Sequence, residues 1–352
     1  MRSDCERDRG AADDPEQGQQ GTSRRRCPGR TADGADMIIT VTLNPSLDRT
    51  FDTERLLVGE VNRALRTHLD AGGKGINVSR ALQQNGIATV AVFPIGGADG
   101  PVLVSELERH GVPAHPVPIA GAIRSNVTIT VPDGGTTKVN APGPRIDDDE
   151  QARILAAVDE HLRPGTTCVI AAGSLPEGVP TSILSRLAAL AAAHHVPFAL
   201  DTSDAPLAAA VRAGGLAVVK PNEHELAELV GRELHTVGDV RDAAREVVAL
   251  GTEAVLVSLG AHGALLVTAE ACWWAGGDPI VPVSTVGAGD STLAGYVAAD
   301  GRAPSERLRT AVAWGRAAVQ LPGTEMPRPE QIDLAAVTVV EEPNPSLTLK
   351  EL

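Results

Sequence analysis

Lysine is scarce in this chain. It stands only at positions 74, 138, 220 and 350, and arginine supplies the rest of the 31 basic residues. In an arginine-biased sequence a retained lysine hints at a role that a planar guanidinium cannot fill; chance survival is the alternative. Cysteine is as sparse, at 5, 27, 168 and 272, with no Cys-x-x-Cys and no metal-ligand spacing. Cys168, in the apolar run Thr167-Cys-Val-Ile170, reads as a buried thiol in a reduced compartment. His194, His195 and His224 lack paired ligand spacing and read as surface or cap residues. No apolar run reaches membrane-spanning length. A net charge of −14 argues against nucleic acid or an acidic membrane surface as partner. An acidic chain that binds anions must gather its cations locally.

The 352 residues, 43% of them hydrophobic, suffice for one large α/β domain or for one domain plus an appendage. Residues 1–36 are rich in Arg, Asp, Gln and Gly, without apolar periodicity. They lack a signal-peptide core and are too acidic for a transit peptide, so the stretch reads as a disordered or upstream-translated tail, with Met37 as the functional start. The expected organisation is a domain over 37–340 and a C-terminal tail over 341–352. A cytoplasmic location is expected.

The stretch around which the chain is organised is Val283-Ser-Thr-Val-Gly-Ala-Gly-Asp290-Ser-Thr-Leu-Ala-Gly-Tyr296. Residues 279–285 look β-like, and Leu293, Tyr296 and Val297 then recur at helical spacing. Gly287, Ala288 and Gly289 thus open a helix, where free N–H groups and the helix dipole favour anions. A carboxylate at 290 repels phosphate unless it has chemistry to do, such as accepting a hydroxyl proton during phosphoryl transfer. The plainer reading is an ordinary first-turn acid.

A short strand from Met37 to Leu43 ends at Asn44-Pro-Ser-Leu-Asp48, where Asp48 is either a bidentate acceptor for sugar hydroxyls or a turn-former. Extended segments over 49–70 lead to Gly72-Gly-Lys-Gly-Ile-Asn77, a second glycine-rich helix start that carries Lys74. It is no Walker loop, because Gly75 follows the lysine; a smaller anion site or a structural turn fits. Residues 124–131 alternate strictly and turn back through 136–140. That hairpin carries Arg124 and Asn126 on one face of its first strand and Lys138 and Asn140 on one face of its second; one apolar and one basic, amide-bearing face suit a lid over a polyhydroxylated anion or a solvated edge. Beyond 150 the pattern is regular βαβ, which argues for a mainly parallel sheet covered on both faces. Asn222 and Glu225 match a helix cap and also a Mg²⁺-water site. A hairpin-like pair turns at Gly260-Ala-His-Gly263.

Five of these stretches, in register from 42 to 290, resemble the PfkB (ribokinase-like) carbohydrate kinases and their hexose-phosphate branch. They are Thr42-Leu-Asn-Pro-Ser-Leu-Asp48, Gly72-Gly-Lys-Gly-Ile-Asn77, Gly173-Ser-Leu-Pro176, Lys220-Pro-Asn-Glu-His-Glu225 and Val286-Gly-Ala-Gly-Asp290. The resemblance implies a doubly wound α/β fold with a small β lid within about 48–70 and 124–140, dimerising through that lid. It implies ATP and Mg²⁺, and as acceptor a ketohexose monophosphate, fructose 1-phosphate ahead of tagatose 6-phosphate. Asp290 would be the base, and Gly287, Ala288 and Gly289 the anion hole. Lys220, Asn222, Ser258, Gly260 and Gly263 would lie along the nucleotide, with Glu225 toward the metal. Asp48, Gly73, Lys74, Asn77, Arg124 and Asn126 would hold the sugar phosphate, with Arg63, Lys138 and Asn140 around them. Thr324 would fall in a nucleotide-side loop. A non-catalytic sugar-phosphate sensor on the same fold is the alternative class; it gains nothing from a carboxylate in its anion hole.

Overall fold

The computed structural model describes residues 36–132 and 135–352. The tail expectation for residues 1–36 therefore lies, except for Asp36, outside the described residues. The strands are β1 (Met37–Val41), β2 (Ser46–Asp52), β3 (Arg66–Gly72), β4 (Ala88–Ile95), β5 (Ala114–Pro118), β6 (Arg124–Thr130) and β7 (Thr136–Val139). They continue as β8 (Thr166–Ala172), β9 (Phe198–Asp201), β10 (Leu216–Val219), β11 (Thr252–Ser258), β12 (Ala264–Thr268), β13 (Cys272–Gly276) and β14 (Thr338–Glu341). The helices are α1 (Lys74–Gln84), α2 (Asp99–Arg109), α3 (Asp148–His161), α4 (Ser182–Ala193), α5 (Asp204–Ala213), α6 (Glu223–Val230), α7 (Val237–Ala249), α8 (Ala288–Ala298) and α9 (Pro304–Ala318).

Ten strands form the main sheet in the order β14-β13-β12-β11-β10-β9-β8-β1-β4-β5. Pairing is parallel from β5 to β11 and antiparallel from β11 to β14. Period-two alternation sends neighbouring residues to opposite layers. Ile39, Val41 and Val169 pack under α3, α4 and α7, while Ile38, Cys168 and Ile170 pack under α1, α8 and α9. Burial pushes the Cys168 thiol up to about 12, so it is inert at neutral pH. The chain leaves β1 toward β4 on one side and returns to β8 on the other. The carboxyl ends of strands at such a reversal open a crevice where ligands bind in doubly wound sheets.

The second sheet, β3-β2-β6-β7, is the expected lid. Its β2–β6 pair is parallel, so residues 46–52 lie register by register against 124–130. Two expectations are corrected. Residues 279–285 form no strand: Pro279 and Pro282 carry no N–H to donate, Val281 is fully exposed, and the stretch is tied to the end of α9 by bonds from Val283 N and Ser284 N to Val319 O (2.8 and 3.2 Å). Residues 341–352 return to the body: Val237 N bonds Leu347 O at 2.9 Å, and Leu347, Leu349 and Leu352 pack against the core.

Candidate active site

Gly287 caps α8 in the left-handed region (φ 81°), which only glycine adopts without strain, and it offers no side chain to the first N–H groups of the helix. A Cβ on Gly289 would meet Lys220 Nζ at 3.2 Å. Glycine there lets an ammonium sit against the positive end of α8, so anion-seeking groups converge on one point. Asp290 follows, buried (7% exposed), with Oδ2 accepting from Asn77 Nδ2 at 2.8 Å. Burial, then the negative charge of Asp201, raises the Asp290 carboxyl to about 6; Asn77, Lys74 and Lys220 pull the other way.

Asp201, at the carboxyl end of β9, is the residue that sequence reasoning missed. It is 1% exposed and holds both lysines, Lys74 Nζ at 2.8 Å and Lys220 Nζ at 3.0 Å. Burial alone would raise its pKa, but Lys220 and Lys74 together hold it below the usual carboxylate value. Burial likewise opposes charge on Lys74, and Asp201 more than offsets it. The lysine scarcity was the signal: two of the four meet on one carboxylate. Lys74, expected among the groups that hold the sugar phosphate, has its ammonium on Asp201 beside Lys220.

The acceptor side is built from the β1–β2 turn, the start of α1 and β6. Gly73, N-cap of α1, has φ 126°, and a Cβ on Gly72 would strike Asp48 Oδ2. Parallel register sets Asp48 opposite Asn126, so their side chains meet across the ladder. Asn126 Nδ2 and Ser46 Oγ both donate to Asp48 Oδ1, at 2.9 and 2.7 Å. Asp48 Oδ2 has no hydrogen bond from the described residues, and Asn126 holds the Asp48 carboxylate through Nδ2. Arg124 Nη2 donates to Asn44 O at 3.2 Å, while Arg124 Nε, Asn44 Oδ1 and Thr42 Oγ1 are buried without a partner. Unpaired buried polar atoms are costly, and these three belong to the β1–β2 turn and to the facing start of β6. Arg63, Lys138 and Asn140 are exposed, and the structure brings none of their side chains into hydrogen bonds with this cluster.

On the other side of α8 a cavity of about 440 Å³ is lined by Asn222, Ser258, Gly260, Gly263, Ala288 and Gly289, all anticipated. Its apolar walls, from Ile280, Pro282, Val312 and Val319, were not. They come from the irregular 279–285 stretch and from α9, which no local motif connects. Trp274 Nε1 steadies the Gly260–His262 turn by donating to His262 O at 2.9 Å. Thr324, expected in a nucleotide-side loop, is not among the residues that line this cavity; it accepts from Arg80 Nη1 at 3.3 Å. Asn222 and Glu225 form a reciprocal cap on α6: Asn222 Oδ1 accepts from Glu225 N at 2.8 Å and Glu225 Oε2 from Asn222 N at 2.9 Å. Glu225 Oε1 has no hydrogen bond from the described residues, and its charge reaches Lys74. Among the described residues no three His, Cys, Asp or Glu cluster as a metal cage. One carboxylate with a free oxygen beside a phosphate site is nonetheless the donor chemistry that suits Mg²⁺, which keeps most of its water.

The model of the pfkB family carbohydrate kinases matches residues 41–331. Escherichia coli ATP-dependent 6-phosphofructokinase isozyme 2 is 38% identical over 293 residues, 82% of this chain and 94% of that protein. Xanthomonas campestris 1-phosphofructokinase is 35% identical, covering 86% and 97%. The structure of Escherichia coli phosphofructokinase-2 in complex with substrates and products superposes with a TM-score of 0.79 at 36% identity, over 84% of this chain and 96% of that one. The chain belongs to the pfkB family of carbohydrate kinases, a ribokinase-like enzyme that takes ATP as co-substrate.

Proposed function

We propose that this sugar-phosphate kinase transfers the γ-phosphoryl group of ATP to the 6-hydroxyl of fructose 1-phosphate, giving fructose 1,6-bisphosphate and ADP. The observation that carries the reading is Asp290. Its carboxyl, raised to about 6, lies in the first turn of α8, after Ala288 and Gly289 of the cavity wall and bonded to Asn77 of α1. Asp290 accepts the hydroxyl proton as the new O–P bond forms and the bond to the β-phosphate oxygen breaks. Charge growing on the transferring phosphoryl oxygens meets the N–H groups of Ala288 and Gly289 and the ammonium of Lys220. Lys74, fixed by Asp201, adds a second cation without leaving a buried charge unpaired. Arg124 and Asp48 Oδ2 hold the acceptor. Asn222 and Glu225 would hold Mg²⁺ through water, and when bound the ion neutralises phosphate charge. ATP and sugar phosphates as substrates argue for the cytoplasm, and among the described residues no helix is long and apolar enough to cross a membrane.

Fructose 6-phosphate, phosphorylated at its 1-hydroxyl to the same product, is the second reading, favoured by the likeness to 6-phosphofructokinase isozyme 2; tagatose 6-phosphate is the third. A coupled ADP-release assay across the three, with free fructose, tests them. We expect kcat/KM highest for fructose 1-phosphate and at least about 100-fold lower for free fructose, whose binding would leave Arg124 unpaired. Higher kcat/KM with either 6-phosphate transfers the assignment to it. A preference for free fructose overturns the reading of the acceptor cradle.

The lid carries Val58 (95% exposed), Val61 (79%), Leu65 (64%) and Val139 (59%). Exposed apolar side chains on such a sheet and its loop suit an interface, and we assign them to a homodimer formed lid to lid. Val58→Asp with Val61→Asp is expected to shift sedimentation from dimer toward monomer and to raise the sugar-phosphate KM; a dimer unaffected by both changes refutes the assignment.

A further inference from the structure

Arg80 belongs to none of the roles above, yet its guanidinium is buried (6% exposed) on α1, three residues after Asn77. Its Nη1 lies 3.4 Å from Asn77 Oδ1 and 3.3 Å from Thr324 Oγ1, and donates to both. Burial depresses its pKa, opposed by Asp70 and Asp48 from the lid strands, Glu106 from α2 and Glu325 from the loop after α9; His110 lies nearby. A guanidinium kept in such a place is costly without a task.

We propose that Arg80 is a positioning residue for phosphoryl transfer, setting the Asn77 carboxamide so that its N–H, not its oxygen, faces Asp290. A carboxamide has donor and acceptor ends of nearly equal size. Turned over, Asn77 would set its oxygen against the Asp290 carboxylate. Arg80 can only donate, so it must face the oxygen end, and that leaves Nδ2 directed at Asp290 Oδ2 (2.8 Å). Thr324 anchors Arg80 from the opposite side and so ties the loop after α9 to the orientation of the base. The other groups facing Asp290 are Asp201, Lys74 and Lys220. None of these can replace the missing N–H at Oδ2 without breaking the Asp201 pairs. The inference rests on Asp290 as the base.

The test is a kinetic cycle of Arg80→Met, Asn77→Ala and the double variant, with Asp290→Asn alongside. Arg80→Met is expected to lower kcat about tenfold with KM for ATP and acceptor moved less than about threefold. Loss of the Asn77 donor raises the Asp290 pKa, so the acid limb of kcat should move to higher pH. In the Asn77→Ala background Arg80→Met should cost nothing further. Arg80 also borders a cavity of about 480 Å³ with Gln84, His110, Glu325 and Arg328, open to small cations. Free guanidinium ion should therefore restore turnover to Arg80→Ala but not to Arg80→Ala/Asn77→Ala. Should Arg80→Met fail to fold, Arg80→Gln, whose own amide can face either end of the Asn77 carboxamide, must still show the shifted limb. Independent losses with an unmoved pH profile overturn the inference and leave Arg80 a structural residue. An active Asp290→Asn removes the base reading and this inference with it, whereas an inactive Asp290→Asn with an additive cycle removes this inference alone.

Discussion

Asp290→Asn is expected to lower kcat at least about 100-fold while changing KM for ATP or acceptor far less. The substitution keeps size and a hydrogen-bonding end but removes the group that takes the proton. In the unaltered enzyme kcat should fall on the acid side with a midpoint near pH 6, because the base acts only when ionised; in Asp290→Asn that limb disappears. Stability should move the other way. A carboxyl whose folded pKa is about 6 against an ordinary 3.8 binds its proton more tightly in the native state, so its contribution to stability declines as pH rises through that window. At neutral pH the native state carries a buried, reluctant charge, and Asp290→Asn should melt at the same temperature or higher. A variant that keeps near-normal turnover contradicts the base assignment, and one that loses both turnover and melting temperature points to a structural role.

Asp201→Asn is expected to be the most destabilising single change at the site. Lys220 is only 5% exposed, and with Lys74 it relies on one carboxylate. Removing one partner of a buried pair leaves an uncompensated charge, at a cost of roughly 3 kcal/mol or more. That is several degrees of Tm for a domain of this size. The pKa of Asp201 is lowered on folding, so its contribution is present above its ordinary value of 3.8 and is lost as pH falls below it. Kinetically, taking away the charge that helps raise Asp290 should move the acid limb of kcat downward. Thermal melts and pH–rate profiles together check this. A stable Asp201→Asn with an unchanged acid limb would mean that the lysines find other partners and that Asp201 does not organise the centre.

Some of this site was legible before any coordinates because its demands are local. A left-handed turn at a helix start calls for glycine at that position, which Gly73 and Gly287 record, and a reciprocal cap calls for Asn222 and Glu225 three residues apart. Strict alternation over 124–131 forecast the lid strand, and the βαβ rhythm forecast the parallel sheet. What local pattern could not supply was partnership across the chain. Asp201 meets Lys74 from 127 residues away, and Asn77 meets Asp290 from 213. Asn126 and Asp48 stand 78 residues apart, and only the parallel register sets that amide against that carboxylate. Residues 279–285 look like a strand until their prolines and the end of α9 hold them as a cavity wall. Residue type and spacing thus determined the class of chemistry, because backbone geometry at a helix start is a local constraint. Which carboxylate is neutralised, which is left reluctant to ionise and which amide is aimed were decided by the tertiary structure, because burial and charge pairing depend on neighbours that only the folded chain assembles.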